Sequence, residues 1–281
     1  MKTVNSLLIV LILGVIFAAF LSSAVAVYCI ILSVPAPQLV VVEDLADVTV
    51  ERYRSVESQR VPPSAEPTAV PAHAARPAEN APVLLSFVGD CTLGQNFGST
   101  GARTFAAFYR MNSPEYFFSG VRDVFASDDL TIINLEGALT DSTSMRAKPE
   151  DGPKYWFSGP PEYAYILHAG SVEIANLANN HTKDFGEEGY RDTVGALREA
   201  GVAYFGGEDV LLREIRGVKV GLFGLSASSG EDVIRERIST LRKSGADVVI
   251  ASFHGGLPSI TYTPTESQIK AARTAIDNGA D

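Results

Sequence analysis

The chain has 281 residues, 46% of them hydrophobic, a formal net charge of −10 and 2 cysteines. Residues 83 to 281 carry 18 basic against 26 acidic side chains, spread out rather than blocked. Such a surface lacks the footprint of a nucleic-acid binder and repels polyanions unless a metal or a local patch intervenes.

From Leu7 to Leu32 the sequence is apolar apart from Ser22, Ser23, Tyr28 and Cys29, and it carries no charge. A bilayer core needs about twenty such residues, so residues 1–34 read as a membrane anchor with a transmembrane helix. A cleaved secretory signal is the rival, because Ala24 and Ala26 are small residues at a suitable spacing. Apolar residues resume at Val27 and run to Val34, which makes the segment longer than a signal core. Lys2 precedes the span, whereas Glu43, Asp44 and Asp47 follow it, and this bias puts the amino terminus in the cytoplasm. The expectation is a single-pass protein of the cell membrane whose remaining residues are extracytoplasmic. Cys91 is then the lone cysteine outside the span, so no intrachain disulfide forms there.

Pro35, Pro37, Pro62, Pro63, Pro67, Pro71, Pro77 and Pro82 punctuate the next stretch. That density favours extended backbone, and residues 35–82 read as a semi-rigid spacer. Within it, Val40, Val41, Val42, Val48 and Val50 leave room for a short strand between Leu39 and Arg54.

Beyond Val83 short apolar strands are expected at Leu84–Val88, Leu130–Ile133, Val172–Leu177, Val202–Phe205, Lys219–Leu225 and Val248–Ser252. Helical patterns ending in glycine precede three of them, at Gly170, Gly201 and Gly245, where a left-handed cap stops a helix. Ala275 to Asp281 repeats the pattern, which suggests a further strand beyond Asp281 and a chain that is a fragment. Alternating strands and helices imply an α/β fold, helices covering a largely buried sheet, in one domain over residues 83–281.

Four of these strands run into polar residues. Leu84–Val88 leads to Gly89-Asp90, Leu130–Ile133 to Asn134-Leu135-Glu136, Val172–Leu177 to Asn179-Asn180-His181, and Val248–Ser252 to His254. Open α/β sheets place ligands beyond the carboxyl ends of strands, and these oxygen and nitrogen donors suit a hard or borderline divalent metal. Each residue has a plainer reading: Asp90 as turn chemistry, His181 as a hydrogen-bonded structural group, Cys91 as a small buried hydrophobe. Asp184, three residues after His181, is placed to orient its ring, and such a histidine can protonate a leaving group while Asn180 holds a metal. His73 and His168 lack any comparable setting. No phosphate loop, dinucleotide fingerprint or serine-nucleophile elbow is present.

Gly89-Asp90 with Leu93-Gly94, Asn134-Leu135-Glu136 with Thr140, Asn179-Asn180-His181 with Asp184 and Gly186, and His254 with Gly256, in that order, resemble the CapA family of bacterial poly-γ-glutamate capsule synthesis proteins. Lys154-Tyr155-Trp156-Phe157 and the Pro264–Gln268 stretch also look like family segments. The resemblance implies a calcineurin-like metallophosphoesterase-type layered fold outside the membrane. It implies a divalent metal (Mn, Zn or similar) on Asp90, Glu136, Asn180 and His254, with His181 as acid, and a binuclear centre in the full-length protein. Implied partners are poly-γ-glutamate or a phosphoester, the membrane, and a membrane synthase complex. Two other roles fit the same residues: a non-enzymatic export or scaffold component, and a phosphodiesterase unrelated to capsule. Gly255 and Pro258 stand where the family commonly has an aromatic residue and a glutamate, and the family's closing histidine-rich motif would follow Asp281.

Overall fold

A computed structural model describes residues 82–150, 154–226, 229–255 and 264–281, with the backbone of two short strands at 9–10 and 28–32. The spacer over 35–81, with its expected strand within 39–54, lies outside the described residues, as does most of the expected anchor. The two anchor pieces that are described are extended rather than helical. They are β1 (Ile9–Val10) and β2 (Tyr28–Leu32). Among the described residues no helix is long and apolar enough to cross a membrane.

Next come β3 (Val83–Cys91), β4 (Gln95–Asn96) and the short helices α1 (Phe105–Met111), α2 (Glu115–Phe118) and α3 (Arg122–Phe125). They are followed by β5 (Leu130–Leu135), β6 (Ala138–Leu139), β7 (Phe157–Gly159), α4 (Ala164–Ala169), β8 (Ile174–Asn176), α5 (Gly186–Glu199) and β9 (Ala203–Phe205). The remainder is β10 (Val210–Ile215), β11 (Val218–Ser226), α6 (Glu231–Lys243), β12 (Val248–His254) and α7 (Glu266–Asp277).

The expected α/β class holds, but the strands form two large sheets rather than one. The first has the order β1-β2-β3-β5-β8-β9, parallel from β3 to β9. The second has the order β10-β11-β12, a hairpin extended by a parallel strand. Val83, Leu85, Leu130, Ile132, Ile174 and Phe205 of the first sheet pack on Val218, Val220, Leu222 and Val248 of the second. The outer face of the first sheet is covered by α4 and α5, through Ile133, Leu135, Ala175, Ile166, Leu167 and Leu197. The outer face of the second is covered by α6 and α7, through Phe223, Leu225, Val249, Ile234, Leu241 and Ala275. Alternate residues of β5 and β11 enter different cores, so each strand is buried on both sides and reads as a continuous apolar run. The result is four layers, helix on sheet on sheet on helix. A third, small sheet of β4, β7 and β6 lies beyond the ends of the first.

The sheets approach closely at one end because Gly224 lacks a side chain. A Cβ there would lie 2.4 Å from Ala178 Cβ and 2.6 Å from Asn176 Oδ1. Gly224→Ala is expected to destabilise the protein by about 1–3 kcal/mol, as overpacking does; a denaturant midpoint unchanged from wild type would refute this account of the close approach.

At the opposite end Glu173 Oε2 accepts the Thr131 N–H at 2.7 Å. Burial, reinforced by Asp128, pushes its carboxyl from 4.5 up to about 7. The folded state therefore holds this proton more tightly than the unfolded chain. That contribution is complete below pH 4.5 and is lost as pH rises through about 7. Glu173→Gln, neutral throughout, should gain stability relative to wild type across this window in chemical denaturation; parallel stability curves would overturn the assignment.

Candidate functional site

The face that forms the apolar core between the sheets turns polar at the carboxyl ends of the strands. On β5 the inward positions run Leu130, Ile132, Asn134; on β8, Ile174 then Asn176; on β12, Val248, Ile250, Ser252, His254. Asp90 reaches the same face through an irregularity. The register of β3 on β5 shifts between Phe87 and Asp90, so one extra residue on β3 brings Asp90 opposite Asn134. Without that bulge Asp90 would point to the outer core. Glu136 follows β5, its N–H bonded to Cys91 O at 3.1 Å, and Gly137, at φ 142°, turns the chain away.

The structure brings all the expected donors together. His254 Nε2 lies 2.8 Å from Asn180 Oδ1 and 3.8 Å from Glu136 Oε1, and its Nδ1 lies 3.3 Å from Asp90 Oδ1. His181 Nε2 approaches the same Glu136 oxygen at 3.8 Å. The hydrogen bond with His254 lowers the Asp90 pKa and raises that of His254. Burial, then repulsion from Asp90, raises that of Glu136. Two carboxyls, an amide oxygen and an imidazole at these spacings form a donor set whose chemistry fits a divalent cation, and a cation would relieve the carboxyl repulsion. As they stand, however, the ring nitrogens of His254 are engaged by Asn134 and Asn180. Among the described residues no group of three or more His, Cys, Asp or Glu side chains is already arranged around one point.

A ladder of amides supports these groups. Asn134 Nδ2 donates to Asp90 Oδ1 at 2.7 Å and lies 3.0 Å from His254 Nδ1. Its Oδ1 accepts from Asn176 at 3.3 Å and from Asn179 at 3.1 Å. Asn176 also donates to Ser252 Oγ at 3.2 Å, which joins the two sheets. Asn176 was not singled out from sequence, although its place two residues after Ile174, where Asn134 follows Ile132, is a readable signal.

His181 Nδ1 sits 2.7 Å from Asp184 Oδ2, as its spacing suggested. Asp184 is 1% exposed, and Lys148 Nζ lies 2.5 Å from its Oδ1 while the Phe157 N–H donates to Oδ2 at 2.9 Å. The Phe157 ring packs on His181 at 4.4 Å. Lys148 was missed because 33 residues separate it from His181 and no local pattern marks it. Cys91 packs against the outer core, where burial pushes its thiol up to about 12, so it is the small hydrophobe expected rather than a nucleophile. His168 lies in the last turn of α4, away from the site. Gly256 and Pro258 lie outside the described residues.

The donors open into a cavity of about 810 Å³ that Arg146, Lys183, Tyr190, Ser226, Ser229 and Arg237 also line. It is large enough for a small organic ligand.

The family model of the bacterial capsule synthesis protein PGA_cap matches residues 84–281. The capsule biosynthesis protein CapA of Bacillus anthracis is 24% identical over 229 residues, 72% of this chain and 53% of that protein. The PGA biosynthesis protein CapA of Bacillus subtilis is 22% identical over 220 residues, 70% of this chain and 54% of that one. This chain thus spans about half the length of the curated relatives it matches. Among solved structures, the calcineurin-like phosphoesterase YfkN from B. subtilis aligns with a TM-score of 0.36 and 13% identity over 64% of each chain. A likeness that distant does not bear on the fold.

Removing the Asn134 amide takes an acceptor from the side-chain N–H groups of buried Asn176 and half-buried Asn179. Asn134→Ala is therefore expected to cost about 1–3 kcal/mol in urea unfolding, and a loss well below this range would mean that water substitutes for the amide.

Proposed function

This chain belongs to the PGA_cap family of bacterial capsule synthesis proteins, and we propose that it serves capsule synthesis through a metal-dependent phosphoester-hydrolysing site at its strand ends, in a layered domain of the metallophosphoesterase type. The observation that carries this reading is the convergence of Asp90, Glu136, Asn180 and His254 from four strand ends beside a His181–Asp184 pair. The relatives' names, which speak of capsule and PGA biosynthesis, point to the pathway; poly-γ-glutamate or a phosphoester attached to its assembly is the substrate class this favours. The uncharged run over residues 7–32, the proline-rich stretch after it and the charge bias around them support a membrane-tethered, extracytoplasmic placement, although the described pieces of that run, 9–10 and 28–32, are extended.

In this reading Asp90, Glu136, Asn180 and His254 would hold the ion, Mn²⁺, Zn²⁺ or a similar cation. When bound, it polarises a phosphoryl oxygen and activates water. His181 faces the cavity with Nε2 and acts on the leaving group as proton donor. Asp184 accepts from Nδ1, which fixes the ring orientation. Lys148 and the Phe157 N–H hold Asp184 in turn, and Asn134 keeps Asp90 and His254 aimed inward.

The two kinds of residue separate experimentally. His181→Ala should retain metal, measured by elemental analysis after reconstitution, and lose roughly 10²–10⁴-fold in hydrolysis of a phosphodiester probe. Asp90→Asn and His254→Ala should lose the metal itself. A wild-type protein that takes up no metal, or a His181→Ala variant as active as wild type, would sink the hydrolytic reading.

A further inference from the structure

Arg237 is a charged wall of the cavity that the hydrolytic chemistry leaves unused. It lies on α6 beside Ile238, whose side chain packs on the second sheet. Its Nη1 donates to Gly224 O on β11 and its Nη2 to Gly207 O in the turn after β9, so one bond reaches each sheet. These contacts hold the guanidinium in place but spend only part of its donors. Glu208 and Glu236 act on it at a distance, yet among the described residues no carboxylate forms an ion pair with it. Arg146, exposed on the rim of the same cavity, likewise has no ion pair among them. The Ser226 and Ser229 hydroxyls, 3.5 Å apart, line the cavity as well. A partly buried arginine held by neutral carbonyls lacks the counter-ion that such a group ordinarily acquires.

We propose that Arg237, together with Arg146 and the Ser226 and Ser229 hydroxyls, forms an anion subsite that receives a carboxylate or phosphate group of the substrate. It is separate from the donor set of Asp90, Glu136, Asn180 and His254. The substrate is then a molecule with two anionic groups, one at the donors and one at Arg237, which matches a cavity wider than a single phosphate needs. A guanidinium in a rigid fork suits planar, two-point recognition of either anion. The inference rests on the reading of the cavity as a substrate site. A role as a mere sheet clamp predicts the same two carbonyl bonds but no anion binding.

The test uses the full chain, freed of metal by chelation and dialysis, so that neither ion content nor turnover enters the result. Inorganic phosphate and glutarate are titrated separately while the Arg237 Nε–H signal is followed by NMR. A saturable shift of that signal with either probe is expected, and which probe is tighter tells whether the group is a phosphate or a carboxylate. Arg237→Gln should weaken binding about tenfold or more. Arg237→Lys, which keeps charge without the fork, should fall between. Since Arg237 also bridges the sheets, Arg146→Gln provides a variant outside that bridge, and it too should weaken binding. An Arg237 signal unmoved by both probes, or affinities unchanged in Arg146→Gln and Arg237→Gln, would overturn the subsite while leaving the hydrolytic reading intact. Loss of hydrolysis or of metal uptake, with the anion response retained, would do the reverse.

Discussion

The face-to-face contact of the two sheets is the constraint on which the rest depends. It is apolar over most of its length, with Leu85, Ile174, Phe205, Val220 and Leu222 essentially inaccessible to solvent. Each such side chain contributes about 1.5–3 kcal/mol by leaving water. That stabilisation is what permits the same interface to continue into buried amides at its far end. Asn134 and Asn176 are 8% and 1% exposed, positions where an unpaired amide would cost about 1–3 kcal/mol. They are tolerated because each finds its partner on a neighbouring strand or on the opposite sheet. Gly224 belongs to the same arrangement, since any side chain there would separate the ends that the amides join.

The sequence made much of this legible. Strand ends with Asp90, Glu136, Asn180 and His254 were readable because a short apolar run that stops in polar residues is a local signal, and all four meet in space. The split into two sheets was not readable. Val210–Ile215 carries Arg213 and Glu214 in its middle, and its pairing with β11 is a tertiary choice that local pattern does not record. The bulge that turns Asp90 inward was equally hidden, because it consists in a register between β3 and β5 rather than in a residue type. Lys148 and Arg237 escaped for a third reason: their partners are Asp184 and two backbone carbonyls, all distant in sequence. The amino-terminal run is the reverse case, where a strong local pattern reads as a helix and the two described pieces are extended.

The cavity carries charges of both signs. Exposed Asp90 and half-buried Glu136 stand close enough that burial, then repulsion from Asp90, raises the Glu136 pKa. Arg146 and Arg237, which have no ion pair among the described residues, line the same cavity. A cavity that offers carboxylates to a cation and guanidinium groups to an anion is complementary to a metal-bound anion rather than to either ion alone. The overall charge of −10 is no obstacle to an anionic substrate under this arrangement, because the local field, not the net charge, governs the bound state.

Asp184 ties orientation of His181 to the segment that passes over it. Its carboxylate accepts from Lys148, His181 and the Phe157 N–H, while its carbonyl oxygen accepts the Arg146 N–H at 2.8 Å. Trp156 Nε1 donates back to Arg146 O at 2.8 Å, and Lys148 also bonds Tyr155 O. Lys148 and Phe157 are therefore held by the same carboxylate that holds the imidazole, and Arg146 by the backbone carbonyl of the same residue. Asp184 thus sets both the direction of the proposed proton donor, through its carboxylate, and the placement of the Arg146 backbone, through its carbonyl oxygen. The two functions assigned to this cavity share a support even though they use different side chains.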